Sequence, residues 1–360
     1  MRIFNAGNLA FRPYHWPSMK YLLLAAILIV PIPIGCVRAL PVVQQFSACQ
    51  NNPALSVGGA GSYDAGSVRD NVIWFARGRI WTLYTAAAFG VPPYDPTIGL
   101  ASSTDGCHWA KLGQVVVPNP DSAACSGGVF SPAVYYDAST DVLTVAVSCV
   151  SDPAHWYTGP IVIAELQAEK GADWSSPASY VWQNAGTPVL TSTQSWEGSQ
   201  GVYAPGILTN GPRFYLFYSS SSAAGRYQVG IATAYSPLGP WMKNDQNPIT
   251  SPHTNCEEPA PITLATAETY MFCDSVRVGR HGFNTFRLIN PNLSDKRSWS
   301  NPGIYELPDR LPWSMGEIGS QSAVQLPDGK ILMTYNGKPR GTDSDERSIG
   351  FAFVKIRPGA

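Results

Sequence analysis

Charge is scarce in this chain. Asp, Glu, Lys and Arg make up only 14% of its 360 residues, and they balance to a net charge of -1. That excludes the basic footprint of a nucleic-acid binder and any strong attraction to an anionic membrane surface. Histidine is scarcer still: five copies, with no HExxH or paired spacing. No CxxC occurs, so no transition-metal or zinc site is indicated. The P-loop, the strand-linked GxGxxG, GxSxG and a Cys–His nucleophile signature are also missing, which removes nucleotide-cofactor and acyl-enzyme chemistry. No cofactor is implied. Oxygen-rich channels sometimes hold a structural Ca²⁺, but no residue pattern here specifies one.

Long apolar runs are missing except near the N-terminus. There Lys20 supplies a positive charge, Tyr21–Val30 an apolar run, and Val37-Arg38-Ala39 small residues at a cleavage position. The run is too short to cross a bilayer comfortably and is broken by Pro31 and Pro33. Residues 1–39 therefore read as a targeting segment, with an extracellular or periplasmic destination for residues 40–360. A membrane anchor, or lipidation at Gly35-Cys36, is the alternative. Without Cys36 six cysteines remain, an even count that favours disulfides in an exported chain.

What the chain has in quantity is Gly (33), Pro (31), Trp (11) and Tyr (17), the composition of short strands joined by tight turns. Five segments repeat one pattern of apolar strand, turn and aromatic strand: 69–85, 131–147, 204–219, 260–274 and 321–336. Anchored at Asn71, Pro132, Pro205, Pro261 and Ser322, four of them begin the second strand nine residues later. A third strand follows ("IGLASS", "IVIAEL", "VGIATA", "FNTFRLI", "IGFAFV"), and a Trp-marked turn comes next in most units. Antiparallel units of about 60 residues repeated five times predict an all-β, five-bladed β-propeller. Because the fifth unit ends after its third strand, Pro41–Phe46 is expected to close the ring. A β-sandwich is the plainer alternative. The repeat also places Cys256 and Cys273 on neighbouring strands, where they are expected to pair.

In such a ring the starts of the first strands converge on one mouth. Arg69-Asp70, Phe130, Tyr203, Glu257-Glu258 and Ser320-Gln321 stand there, with Asp64, Glu197 and Glu317 further up the approach loops. Trp196, Tyr203, Trp313 and Phe130 are expected to add aromatic surface. Carboxylates among aromatics suit a neutral, hydroxyl-rich ligand such as a sugar. Two carboxylates across a channel can also hydrolyse a glycosidic bond, with retention at a separation of about 5–5.5 Å or inversion at about 6.5–9.5 Å. Asp274, at the end of a second strand, reads as structural.

"NGPRFYLFYSSSS", "VGIATAYSPLGPW" and "IGLASSTDGCHW" resemble strands and turns of the five-bladed propeller glycosidases. Glycoside hydrolase family 43 is the nearest in pattern, with families 32, 62, 117 and 130 more distant, over roughly Ser67 to Lys355. The resemblance implies an inverting two-carboxylate mechanism with Asp70 as base and a blade-four glutamate, Glu258 or Glu257, as acid. The family acid falls at Pro259 in the repeat alignment, and the family's blade-three Asp is replaced by Ala204. A third carboxylate is then needed to hold the acid's proton, and Glu197 is the expected substitute. The implied protein is an exported, monomeric glycosidase of plant, microbial or capsular polysaccharide. A non-catalytic glycan-binding propeller is one alternative. The other is a family 130-like phosphorylase, with Arg69 and Arg280 as basic candidates.

Overall fold

A computed structural model describes residues 42–91, 94–156, 159–222, 225–275, 281–308, 311–341 and 345–357. The targeting segment 1–39, its lipidation alternative and Arg280 lie outside the described residues. Among the described residues, twenty strands form five four-stranded antiparallel sheets. Strand β1 (Val43–Ala48) comes first in the chain. Blade I is β2 (Ser67–Ala76), β3 (Arg79–Ala87), β4 (Thr97–Ser103) and β5 (Ala110–Val116). Blade II is β6 (Gly128–Asp137), β7 (Val142–Val150), β8 (Val162–Ala168) and β9 (Val181–Trp182). Blade III is β10 (Tyr203–Asn210), β11 (Arg213–Ser221), β12 (Tyr227–Ala234) and β13 (Met242–Lys243). Blade IV is β14 (Cys256–Thr263), β15 (Thr269–Ser275), β16 (Gly282–Leu288) and β17 (Trp299–Glu306). Blade V is β18 (Glu317–Gln325), β19 (Ile331–Lys338) and β20 (Ser348–Ile356), completed by β1 as its outer strand.

The ring closes through that last pairing, in which Phe46 faces Val354 and Ala48 faces Ala352. The Cys49–Cys107 disulfide then ties the end of β1 to the β4–β5 turn of blade I. Cys125–Cys149 and the expected Cys256–Cys273 bond join neighbouring strands or their approaches.

Tryptophans from the turns after the third strands fill four of the five seams between blades. Trp109 stacks on Phe351 of blade V at 4.3 Å, Trp174 lies edge-on to Trp81 of blade I at 5.1 Å, and Trp299 meets Phe217 of blade III at 5.8 Å. In the seam between blades II and III, Trp241 Nε1 donates to Oε1 of the buried Glu165 at 2.8 Å. Where blade V meets blade IV, Phe46 packs on Tyr305 instead.

Every inner strand carries the same irregularity. Its register slips at Asp70, Ser131-Pro132, Ala204-Pro205, Glu258-Pro259 and Ser320-Gln321. At each slip one non-glycine residue has a left-handed backbone: Asp70 (φ 44°), Ser131 (44°), Ala204 (48°), Glu258 (55°) and Ser320 (51°). Such a conformation costs about 1–3 kcal/mol and persists only where the surroundings fix it. Here the preceding blade supplies part of the fixing. The bulge N–H of Ser131, Ala204 and Glu258 donates at 2.8 Å to Thr85, Ser148 and Ser219 on the second strand of the preceding blade, and that of Ser320 donates to Asp274 Oδ1 at 2.6 Å.

These bulges correct the repeat alignment. The anchors equivalent to Asn71, Pro132 and Pro205 are Pro259 and Gln321, not Pro261 and Ser322. Glu258 is thereby in register with Asp70, and the position of the family acid moves by the same two residues, from Pro259 to Glu257.

Candidate active site

The bulges stack side chains in two tiers around the mouth. Arg69, Phe130, Tyr203, Glu257 and Gly319 precede the bulges; Asp70, Ser131, Ala204, Glu258 and Ser320 occupy them. A cavity of about 480 Å³ opens above, lined by most of both tiers. Below, a channel of about 680 Å³ runs between the inner strands. Asp70, Ser131, Glu258 and Ser320 border both spaces and so form the floor between them.

Ser320 joins the two floor carboxylates. Its Oγ lies 2.8 Å from Asp70 Oδ1 and in close contact with Glu258 Oε2, and it accepts from Asn336 Nδ2 at 2.8 Å. A hydroxyl has one proton to give. One arrangement satisfies both carboxyls: a protonated Glu258 donates to Ser320, which donates to Asp70. Arg69 Nε sits 3.1 and 3.0 Å from the two oxygens of Asp70, and its guanidinium also pairs with Asp345. Ser131 Oγ completes the shell of Asp70 at 3.5 Å.

Glu257 and Glu258 keep some surface toward the cavity but are densely surrounded by protein. Burial, followed by Asp70 and Asp274, pushes Glu258 well above the ordinary glutamate range. Burial raises Glu257 to about 7, against the hydrogen bond it accepts from Tyr203 Oη at 2.7 Å. Burial and Glu257 hold Asp274 well above the usual aspartate range. Acids crowded in this way cannot all ionise together at neutral pH, so the blade-IV side of the cavity stores protons.

The other walls differ in character. On the side of blades V and I, Lys338, Arg347 and Arg69 surround Asp345, and Arg347 also pairs with Glu317 at 3.1 Å. Lys338 Nζ makes no hydrogen bond among the described residues; its ion pair with Asp345 is a loose 3.9 Å. Toward blades II and III stand Phe130, Trp156, Tyr203, Tyr227 and Gln200, with Trp156 backed by Tyr94 at 4.6 Å.

Of the residues singled out from sequence, the cavity brings together Arg69, Asp70, Phe130, Tyr203, Glu257, Glu258 and Glu317. Three others it does not, and Asp64 is likewise outside its lining, paired with Lys111. Glu197 has a fully buried side chain that accepts from the backbone of Thr193 and Gln194 and from Tyr218 Oη, and pairs with Lys243. It locks its own loop and cannot serve as the third carboxylate. Trp196 lies over Tyr218 and the bare face of Gly230. Trp313 packs on Tyr335 above Gly337 and Gly350. Both indoles fill slots that glycines leave in the blades instead of facing the mouth. Asp274, read as structural, lines the cavity. Tyr94, Trp156, Lys338, Asp345 and Arg347 were not anticipated. They come from the loops joining second and third strands, or from the strand ends beside them, away from the first-strand starts that the repeat locates.

Among the described residues, no group of three His, Cys, Asp or Glu side chains is placed to hold a metal ion, and no helix is long and apolar enough to cross a membrane.

Comparison with known proteins follows the same lines. The sequence model of glycosyl hydrolases family 43 matches residues 168–300, from the end of β8 to the start of β17. An arabinoxylan arabinofuranohydrolase of Bacillus subtilis (strain 168) is 24% identical over 169 residues, 43% of this chain. The match spans only 32% of that relative's own length. Among solved structures, a family 117 glycoside hydrolase from Zobellia galactanivorans superposes with a TM-score of 0.64 at 14% identity, over 87% of this chain and 91% of that one. The catalytic domain of a family 62 α-L-arabinofuranosidase from Coprinopsis cinerea does so with a TM-score of 0.64 at 11% identity, over 89% and 100%. In fold, and in the sequence of its second to fourth blades, the chain resembles the five-bladed β-propeller glycosidases, family 43 above all.

Proposed function

We propose that this protein is an exported glycoside hydrolase that acts on a poly- or oligosaccharide with Asp70 and Glu258 as its working pair. The observation that carries the reading is their shared position: both occupy the bulge of an inner strand, and both reach Ser320 Oγ on the floor of the cavity. Glu258, proton-bearing and next to the cavity, is the acid that protonates the leaving oxygen. Asp70, backed by Arg69, is the base that activates water.

That inverting route, implied by the family resemblance, needs about 6.5–9.5 Å between carboxyl groups. Two hydrogen bonds to one hydroxyl hold the nearest oxygens within about 5.5 Å. Substrate must therefore break the serine bridge before water enters. If it does not, the pair sits in the retaining window. Glu257, one tier higher, is the alternative acid.

The arabinofuranohydrolase relative supplies the first substrates to try: arabinoxylan and aryl arabinofuranosides, followed by a wider polysaccharide panel. Release of reducing sugar that Asp70→Asn and Glu258→Gln each abolish, with the melting temperature nearly unchanged, is the expected result. Full activity in both variants would overturn the assignment. Saturable sugar binding without turnover on any substrate would make the protein a glycan-binding propeller. The product anomer, followed by NMR in the first minutes, reads the stereochemistry.

A second reading is favoured by one feature, the loosely paired Lys338 beside Arg69 and Arg347. Three cations at the cavity wall suit an inorganic phosphate, as phosphorolysis of the family 130 kind requires. Turnover that depends on phosphate and yields a sugar phosphate is its test.

A further inference from the structure

The fivefold repeat provides an internal control for one side chain. The residues opposite the upper tier, at the end of each second strand, are Thr85, Ser148, Ser219, Asp274 and Asn336. Four are neutral. Thr85, Ser148 and Ser219 each use one hydroxyl oxygen to accept the N–H of the next bulge. Asp274 does the same with Oδ1, so the structural task leaves Oδ2 to spare. Among the described residues Oδ2 has no hydrogen bond. Its room comes from Gly319: a Cβ there would lie 2.2 Å from Oδ2. Gly319 is also the one upper-tier position with no side chain; the others carry Arg69, Phe130, Tyr203 and Glu257. The missing side chain and the extra carboxyl oxygen thus occupy one space on the cavity wall.

We infer that Asp274 is a positioning residue for this site: its spare oxygen, in the gap left by Gly319, keeps neighbouring Glu258 in its proton-donating form. The inference rests on the hydrolase reading above. It supplies from blade IV the third carboxylate that Ala204 in blade III does not provide and that Glu197 is too committed to supply. The charged and titratable groups around the pair are Glu257 on β14, Glu317 on β18, Arg347 ahead of β20, and Asp70 with Arg69 on β2. Tyr203 on β10 reaches Glu257. Arg347 and Arg69 are shared with Asp345, Glu317 and Asp70 and offset the crowding of Glu257, Glu258 and Asp274 only in part; Lys338, whose ion pair is with Asp345, and the neutral Tyr227 complete the cavity wall. With one acid fewer, the remaining two release their protons at lower pH.

The test is Asp274→Ser, which installs the residue that blades II and III already use, with Asp274→Asn as a second variant that keeps the volume and an acceptor oxygen. Both are expected to fold. In the pH dependence of kcat/KM their alkaline limb should fall by about one pH unit or more. A folded variant with the wild-type profile would overturn the inference. Glutamate Cδ-labelled protein, titrated by carbon-13 NMR, gives a readout that needs no turnover. The Glu258 signal, identified by its loss in Glu258→Gln, should titrate at lower pH in Asp274→Ser. An unmoved signal overturns the role of Asp274. A moved signal without hydrolysis by the wild type overturns the hydrolase reading and leaves the coupling standing.

Discussion

Glu165→Gln isolates the electrostatic weak point of the scaffold. Glu165 is buried in the seam between blades II and III, with Trp241 on Oε1 and no partner on Oε2 among the described residues. Burial raises its pKa from the ordinary 4.5 to about 7, and the indole hydrogen bond only partly opposes this. The unfolded chain releases this proton near the ordinary value and the folded protein holds it until about 7. Between those limits the native state binds more protons, so stability falls as pH rises. Each pH unit of separation is worth about 1.4 kcal/mol, which gives a loss of roughly 3 kcal/mol that is complete just above neutrality. Glutamine keeps the acceptor for Trp241 and cannot ionise. Urea unfolding at pH 5 and pH 8 should show a wild-type stability that drops by about 2.5 kcal/mol more than that of Glu165→Gln, the remainder having been lost below pH 5. Any constant penalty from the buried amide cancels in the difference. Identical pH dependence in the two proteins would refute the reasoning, because the other high-pKa acids, Glu257, Glu258 and Asp274, are common to both.

Tyr203→Phe removes the hydroxyl that donates to Glu257; a charge-directed hydrogen bond is worth about 1.5–3 kcal/mol, so Glu257 should titrate one to two pH units above its present value by carbon-13 NMR. Cys49→Ala with Cys107→Ala unfastens the closing strand. A bond across 58 residues stabilises by about 4 kcal/mol in the chain-entropy view, and calorimetry should find the melting temperature lower by roughly 5–10 °C. On the hydrolase proposal, Lys338→Gln should leave turnover of a neutral glycoside within about threefold, whereas on the phosphorolysis reading it should abolish phosphate-dependent turnover, both read in the same assay. Trp109→Ala empties the stacked contact with Phe351 between blades I and V and should cost about 3–5 kcal/mol in urea unfolding.

The five-bladed ring was legible because its signal is redundant: strands and turns recur in every unit, and tryptophans mark four of the five seams. Register was less so. The alignment chose Pro261 over Pro259, a slip of two residues that leaves the same side chains facing the core, so hydrophobic alternation cannot detect it. The inner-strand bulges and hairpins of unequal length did the rest, and the constant nine-residue spacing misplaced blades IV and V. Asp70, Glu257 and Glu258 could be found because they sit at strand starts, which the repeat locates. Glu197, Trp196 and Trp313 could not be placed, because the loops between blades obey no repeat and fold back into glycine slots. Asp274 carried a readable signal, an acid where the sister blades have Thr, Ser, Ser and Asn, but it shows only once the second strands are aligned on the bulges.

The left-handed bulges make the mouth of this ring a set of five sockets at matched height, four of them wired through the main-chain N–H to the neighbouring blade's second strand. Asp, Ser, Ala, Glu and Ser fill them here. In those four the occupant can change while the backbone that presents it stays put, since the hydrogen bond that holds the kink uses the main-chain N–H and not the side chain. The scaffold thus separates where a reactive group stands from which group it is. The vacant socket at Ala204 is the natural place to install a new one.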